Sequence, residues 1–153
     1  MFNVVLVNPE IPPNTGNIGR LCVAVGARLH LIKPLGFHID DRSLRRAGLD
    51  YWKKVDLVVW ENLEKYLESV ERGQIILTGS KRGDVYYNLK FNAWDHILFG
   101  PETSGLSQEL FELFPERIAR IPINLQMTRS LNLSTAAGIV VFEGLRQLGH
   151  IPG

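Results

Sequence analysis

IPINLQMTRSLNLSTAAGIVVFE, residues 121–143, is the stretch around which the rest of this chain is organised. It starts as a short apolar run, breaks into a polar loop at residues 124–129, and ends as a long apolar segment. Arg129, Ser130, Asn132 and Ser134, in the loop and its exit, can all hydrogen-bond. Asn132 or Ser130 suits the N-cap of a helix built on the apolar segment, because a short oxygen-bearing side chain accepts from the first free amides of a helix. Residues 136–142 are Ala, Ala, Gly, Ile, Val, Val and Phe, apolar all round, which predicts a helix buried on more than one side. A polar loop feeding such a helix is unfavourable unless the loop has a ligand to hold.

Upstream, residues 117–123 read as a strand and 108–114 as a short helix before Pro115. Residues 96–99 read as a strand running into Gly-Pro-Glu-Thr-Ser-Gly at 100–105, and residues 74–78 as one that leads into the loop 79–83. A charged helix is expected over 62–70, with Leu63, Tyr66, Leu67 and Val70 inward, and a strand over 56–60. Residues 41–47 look like a short basic surface helix ended by Gly48. At the start, residues 2–7 form a β-branched run that reads as a buried strand. Pro9, Pro12 and Pro13 then argue against regular structure up to a helix over 17–25, where Ile18, Leu21, Cys22 and Val25 recur at helical spacing. Gly26 stops it, and residues 28–32 form the next strand. Strand, helix and strand within some thirty residues make a βαβ unit. The expected fold is α/β: one domain over residues 1–153, with a mostly parallel open sheet of six strands flanked by helices. Ligands in such sheets sit beyond the carboxyl ends of the strands. Three loops leave such ends, at residues 78–83, 100–105 and 124–134.

Composition narrows the function. The chain has 153 residues, 45% hydrophobic and 22% charged, as an ordinary globular core requires. A net charge of +1 does not by itself announce a nucleic-acid partner. A single cysteine, Cys22, excludes an internal disulfide and points to a cytoplasmic setting. The first residues carry neither a basic nor an apolar leader region, so no signal peptide is expected. No apolar run reaches the roughly 18 residues a membrane span needs.

Several chemistries have no support. There is no Gly-x-Gly-x-x-Gly, no Walker A continuation after Gly100 and no Gly-x-Ser-x-Gly elbow. His30, His38, His96 and His150 are scattered, without metal-ligand spacing to one another or to Cys22, so no metal is expected. Cys22 falls on the apolar stripe of its helix and reads as core. The loop 100–105 is open to two readings: a ligand loop, or a turn that needs glycine for its dihedrals. Arg20 lies off the apolar stripe near the start of its expected helix, after a long polar connection; a plain surface arginine is the alternative. Arg42, Arg45, Arg46, Lys53 and Lys54 form a local basic surplus, while Glu61, Glu64, Glu68 and Glu71 lie apart from it. That segregation favours an anionic partner on one side.

Three segments together carry a resemblance. They are Pro-Glu-Ile-Pro-Pro-Asn-Thr-Gly-Asn at 9–17 with Arg20; Leu-Phe-Gly-Pro-Glu at 98–102 with Gly105 and Leu106; and Ile121-Pro122 with Ser-Leu-Asn-Leu-Ser at 130–134. In this order, ending in the apolar helix, they resemble the SPOUT superfamily of RNA methyltransferases, in its SpoU-type 2′-O-ribose branch. The likeness covers essentially the whole chain. The short length, the first segment and the run Leu-Arg-Arg-Ala-Gly-Leu-Asp-Tyr at 44–51 resemble the minimal tRNA wobble-position 2′-O-methyltransferases.

The resemblance implies a C-terminal trefoil knot holding S-adenosylmethionine, with tRNA as substrate and no metal. It implies cofactor contacts near Thr78, Gly100, Glu102, Ile121, Ser130 and Leu133. Arg20 and Asn14 would be the catalytic pair, Arg20 acting on the ribose hydroxyl and Asn14 orienting the hydroxyl or Arg20. Glu102 has a structural alternative, closing its loop by accepting backbone amides. The apolar helix, with Gly138 and Gly144 inside it, and the small basic surface point to a homodimer through the C-terminal helix; the family's shared active site points the same way. The alternatives in function are methylation of another tRNA or ribosomal RNA site, and a non-catalytic RNA-binding module of the same fold.

Overall fold

The computed structural model describes residues 1–40, 42, 44, 46 and 51–150. The first strand, β1 (Asn3–Val7), is buried along its whole length, as a β-branched run covered on both faces must be. Its side chains alternate: Val4 and Leu6 enter one apolar cluster, Val5 and Val7 the other. Around it lie β2 (Arg28–Ile32), β3 (Leu57–Trp60), β4 (Ile75–Gly79), β5 (Asp84–Val85), β6 (His96–Phe99) and β7 (Ile118–Arg120), in the order β3-β2-β1-β6-β4-β7-β5. Every pairing is parallel. The sheet has seven strands rather than six, because β5 is two residues long and too short to show any period.

Helices cover both faces. Helix α1 (Pro12–Val25) and the last helix lie on the Val4/Leu6 face, where Ile18, Cys22, Ala137, Val140, Val141 and Leu145 pack together. Helices α2 (Leu63–Glu68) and α3 (Gln108–Leu113) lie on the other, with Tyr66 and Leu110 against Val5, Leu77 and Leu98.

Helix α1 begins five residues before the expected start. Pro12 and Pro13 occupy its first two positions, where a missing N–H is not needed and the ring's φ is already helical, so they begin the helix instead of forbidding it. The polar connection before α1 is accordingly short. Gly26 ends the helix at φ +72°, with the Ala27 amide donating to the Cys22 carbonyl. Cys22 is fully buried, and burial pushes its thiol up to about 12.

Helix α4 (Leu133–Leu148) forms on the apolar segment, with Asn132 as its cap. The expectation of burial on several sides is wrong for the chain alone. Leu133, Ala137, Val140, Val141, Gly144 and Leu145 face inward, while Phe142 is 54% exposed. The sheet and α1 meet one side of α4, and none of the described residues covers the opposite side. A Cβ at Gly144 would strike the Phe2 and Phe91 rings at 2.7 and 3.2 Å, so this glycine serves packing within the chain. A Cβ at Gly138 would meet nothing within 4 Å.

The expected helix over 41–47 lies partly outside the described residues. Arg42, Leu44 and Arg46 are helical, Leu44 buried and both arginines exposed, and Arg45 falls outside. Two histidines that look scattered in sequence meet in the core: the His30 and His96 rings lie 5.4 Å apart, with Trp60 and Tyr66 against them. Trp60 Nε1 donates to His30 Nδ1, so His30 Nε2 carries the proton and donates to Asn3 Oδ1. Among the described residues no group of three or more His, Cys, Asp or Glu could hold a metal ion, and no helix is long and apolar enough to cross a membrane.

Candidate functional site

The carboxyl ends of β6, β4 and β7, three neighbours in the sheet, open into a cleft of about 770 Å³. That is the size of small-molecule and cofactor sites. Thr78, Gly100, Glu102, Ile121, Ser130 and Leu133 all line it, and Asn14 reaches it from α1. The three loops singled out in the sequence therefore meet in one place.

Each loop is held by local chemistry. The Thr78 hydroxyl donates to the Leu98 carbonyl at 2.8 Å, so Thr78 offers a ligand backbone and methyl, not a free donor. At Gly100 a Cβ would lie 2.2 Å from backbone atoms of Gly105 and Leu106, so only glycine lets the loop fold back on itself. The Gly105 amide closes that turn on the Pro101 carbonyl at 2.8 Å, with Gly105 at φ +68°. The Ile121 amide donates to the Gly79 carbonyl at 3.0 Å, joining the third loop to the first. Ser130 is exposed, and its carbonyl accepts from the Thr128 hydroxyl.

Glu102 does not close its own loop. Its carboxylate accepts from the Glu10 amide at 2.8 Å, the Ile11 amide at 2.6 Å and Asn14 Nδ2 at 3.3 Å. It thus places negative charge at the amino end of α1, the favourable end of the helix dipole. Because a carboxylate only accepts, Asn14 must turn its NH₂ toward Glu102, and Asn14 Oδ1 then accepts from Asn132 Nδ2 at 3.0 Å. Asn132 Oδ1 in turn caps α4 through the Ser134 and Thr135 amides. One hydrogen-bonded line therefore runs from the second loop through α1 to the start of α4. Asn14 is buried and committed to this line, and none of its hydrogen bonds goes to Arg20.

Arg20 does not line the cleft. With α1 starting at Pro12 it sits mid-helix rather than near the start, about 9 Å along the axis from Asn14 and about 120° around it. It is exposed, its guanidinium 4.8 Å from the centre of the Tyr51 ring.

Sequence reasoning gave no role to the cations of the site, although all three fall in the loops it singled out. Lys81, Arg82 and Arg129 line the cleft and give it a cationic rim, whereas the Glu102 oxygens are taken up by amides. Arg82 is braced by Gln108 at 3.0 Å and by the Phe111 ring. The bridging role of Asn132 was also missed; its place inside the 130–134 segment was the available signal. The cleft thus presents backbone polar groups, apolar walls and a positive rim, a chemistry suited to a nucleoside that carries an acidic group.

The chain is similar to known proteins along its length. The SpoU rRNA Methylase family's profile matches residues 1–142. A tRNA (cytidine(34)-2'-O)-methyltransferase of Aeromonas hydrophila is 46% identical over 151 residues, covering 98% of this chain and 96% of that protein. A solved structure from work on the 2-OH methylation of C/U34 on tRNA superposes with a TM-score of 0.92 at 41% identity, covering 97% of each chain. An AdoMet-bound rRNA methyltransferase from Sinorhizobium meliloti superposes with a TM-score of 0.84 at 27% identity, covering 96% of this chain and 56% of that one. With a profile match over most of its length and a relative this similar from end to end, the chain belongs to the SpoU rRNA methylase family.

Proposed function

We propose that this protein is an S-adenosylmethionine-dependent tRNA 2′-O-ribose methyltransferase acting on the wobble nucleotide, at cytidine 34 or a modified uridine 34. The observation that carries this reading is the convergence of the loops after β4, β6 and β7 in one cofactor-sized cleft, in a chain so similar end to end to wobble-position enzymes. Backbone groups at Thr78, Gly100 and Ile121 hold the adenosine part, with Ser130 and Leu133 beside it and Glu102 fixing the wall behind. When bound, S-adenosylmethionine supplies a sulfonium methyl already activated for transfer. The protein's task is to bring a poor nucleophile, the ribose hydroxyl, into line with it.

Arg20 is the residue for that task. A guanidinium stays protonated in proteins, so Arg20 does not act as a base. It stabilises the alkoxide that develops on the ribose 2′ oxygen, while the proton leaves through a phosphate or water. Asn14 serves by holding the cleft together, since both ends of its amide are already engaged.

The placement of Arg20 supports a site shared between two chains. On one chain it points away from the cleft, and the outward side of α4 carries exposed Phe142 and open Gly138. A homodimer through α4 covers that side and brings Arg20 of one chain to the cleft of the other. We also read residues 1–153 as a single SPOUT domain whose C-terminal half, from β4 to α4, forms a trefoil knot; an experimental chain trace without threading would remove the knot. We assign the enzyme to the cytoplasm, because its proposed substrate, tRNA, is there; cell fractionation checks this.

The test is methyl incorporation into undermodified tRNA, with and without cofactor, and mapping of the modified nucleotide by nuclease digestion and mass spectrometry. Methylation at position 34 is expected. A methyl group elsewhere would redirect the substrate, and no incorporation would leave an RNA-binding module. Sedimentation equilibrium at micromolar concentration reads the dimer directly. Mixing Arg20→Ala with Gly100→Ala, each inactive alone, should restore activity; a monomeric mass with full activity would end the shared-site reading.

A further inference from the structure

Strands β1 and β6 are parallel neighbours, so the chains leaving them emerge side by side at the rim of the cleft. Two carboxylates cross between them in opposite directions. Glu102 reaches from the β6 side to the Glu10 and Ile11 amides. Glu10 reaches back, its Oε1 accepting from the Thr103 amide at 3.0 Å and the Thr103 hydroxyl at 2.8 Å. Both residues fall in segments that carry the resemblance, but it gives a role only to Glu102.

The backbone of Glu10 is itself wedged in place. Asn8 turns the chain at φ +49° and donates its Nδ2 to the Ile32 and Pro34 carbonyls. The Gly36 amide donates to the Pro9 carbonyl at 2.9 Å, and a Cβ at Gly36 would lie 2.8 Å from Glu10 Cα. Thr103, by contrast, is exposed on a narrow turn that lines the cleft. A fixed carboxylate therefore holds the exposed tip of a turn whose base is tied by Glu102 and by the Gly105 amide.

We propose that Glu10 is a positioning residue for the cofactor: by gripping Thr103 it fixes the turn 101–105 as a preformed wall of the cleft. A wall already in place spares the ordering that binding would otherwise impose, so the effect falls on cofactor affinity. Hydrogen bonds from Thr103 hold the Glu10 carboxyl below the usual carboxylate range, so it remains an ionised acceptor at neutral pH. The inference rests on the proposed function, because it takes S-adenosylmethionine as the ligand of this cleft.

The test is calorimetric titration with S-adenosylmethionine beside steady-state kinetics on tRNA. Glu10→Ala should weaken binding, and raise the cofactor KM, by about tenfold, with kcat within about threefold. Glu10→Gln, whose amide oxygen still accepts, should return affinity to within about threefold of the native protein. In a double-mutant cycle Thr103→Ala should weaken binding alone and add nothing to Glu10→Ala. If Glu10→Ala does not fold, Thr103→Ala, which removes the hydroxyl bond to Glu10 but keeps the amide bond, should still show a smaller loss of affinity in the same direction, and native affinity in that variant would overturn the assignment. Native affinity in Glu10→Ala, equal losses in Ala and Gln, or additive losses in the cycle would overturn the assignment. A native protein without affinity for S-adenosylmethionine would instead overturn the proposed function on which it rests.

Discussion

Asn14 and Arg20 lie six residues apart on one helix, and their surroundings could hardly differ more. Asn14 is buried at the amino end of α1, donating to Glu102 and accepting from Asn132. Arg20 is exposed on the middle of the same helix and stacks on Tyr51. The amino end of α1 is thus part of the cleft's scaffold, while its middle faces away from that cleft. Two residues that the resemblance pairs as one catalytic unit divide, in the fold, into a buried hydrogen-bonded tie and an exposed cation. An active site built this way needs a second surface to bring to Arg20, which is why the proposed dimer and the proposed chemistry stand or fall together.

The largest expected effect falls on Arg20. Arg20→Ala should lower methyl transfer by at least about 100-fold, the scale of losing a transition-state charge partner, while S-adenosylmethionine affinity changes by no more than a few-fold. Arg20→Lys should also be poor, because a point charge on a flexible stem does not reproduce the planar fork. Parallel loss of affinity and activity in Arg20→Ala would erase the contrast with Asn14.

Asn14→Ala should behave in the opposite way. It strips Glu102 of one donor and leaves the Asn132 side-chain amide without its acceptor, at a cost of about 1–3 kcal/mol. For a chain of this size the thermal midpoint should fall by roughly 3–10 °C, and cofactor affinity with it. Scanning calorimetry and cofactor titration on the same sample check both. An Asn14→Ala protein of native stability with only its turnover impaired would return Asn14 to a catalytic role.

Acid acts on the far face of the sheet and sets the pH range in which that contrast can be measured. Burial is the main cause that holds His30 and His96 neutral, each with its pKa lowered to about 4. In the unfolded chain the same groups titrate near 6.5, so between the two values the unfolded state binds more protons. Stability is then complete above pH 6.5 and is lost as pH falls from 6.5 toward 4. A thermal midpoint about 5 °C or more lower at pH 5 than at pH 7 is expected, read by circular dichroism. His30→Gln or His96→Gln should flatten that limb; an unchanged limb in both would assign it to other groups. The smallest effect is the absence of one: S-adenosylmethionine affinity should be the same with and without a chelator, and calorimetry showing loss on chelation would put a metal in the cleft.

Much of this fold is written in local pattern. The runs at β1, β2 and β6 are strongly β-forming, and their observed bounds match the expected ones almost to the residue. Asn132 announces α4 because capping is a contact between near neighbours. The three loops could be picked out as soon as the strands were read as parallel, since a parallel sheet has one functional end. Where an element is too short to show a period, as in β5, or begins with prolines whose meaning depends on position, as in α1, local pattern was silent or misleading.

The tertiary structure decided what depends on partners distant in the chain. Glu102 bonds the Glu10 and Ile11 amides, and Asn14 meets Asn132, across some ninety to a hundred and twenty residues. The His30 and His96 rings lie side by side, and Gly144 turns out to serve Phe2 rather than a second helix. Periodicity reports which side of an element is apolar, a property of the few residues around it. It carries no record of which other element will cover that side, because this depends on strand order and on closing long loops. For the same reason the resemblance could name Asn14 and Arg20 together, while only the course of α1 past the cleft sets them in different surroundings.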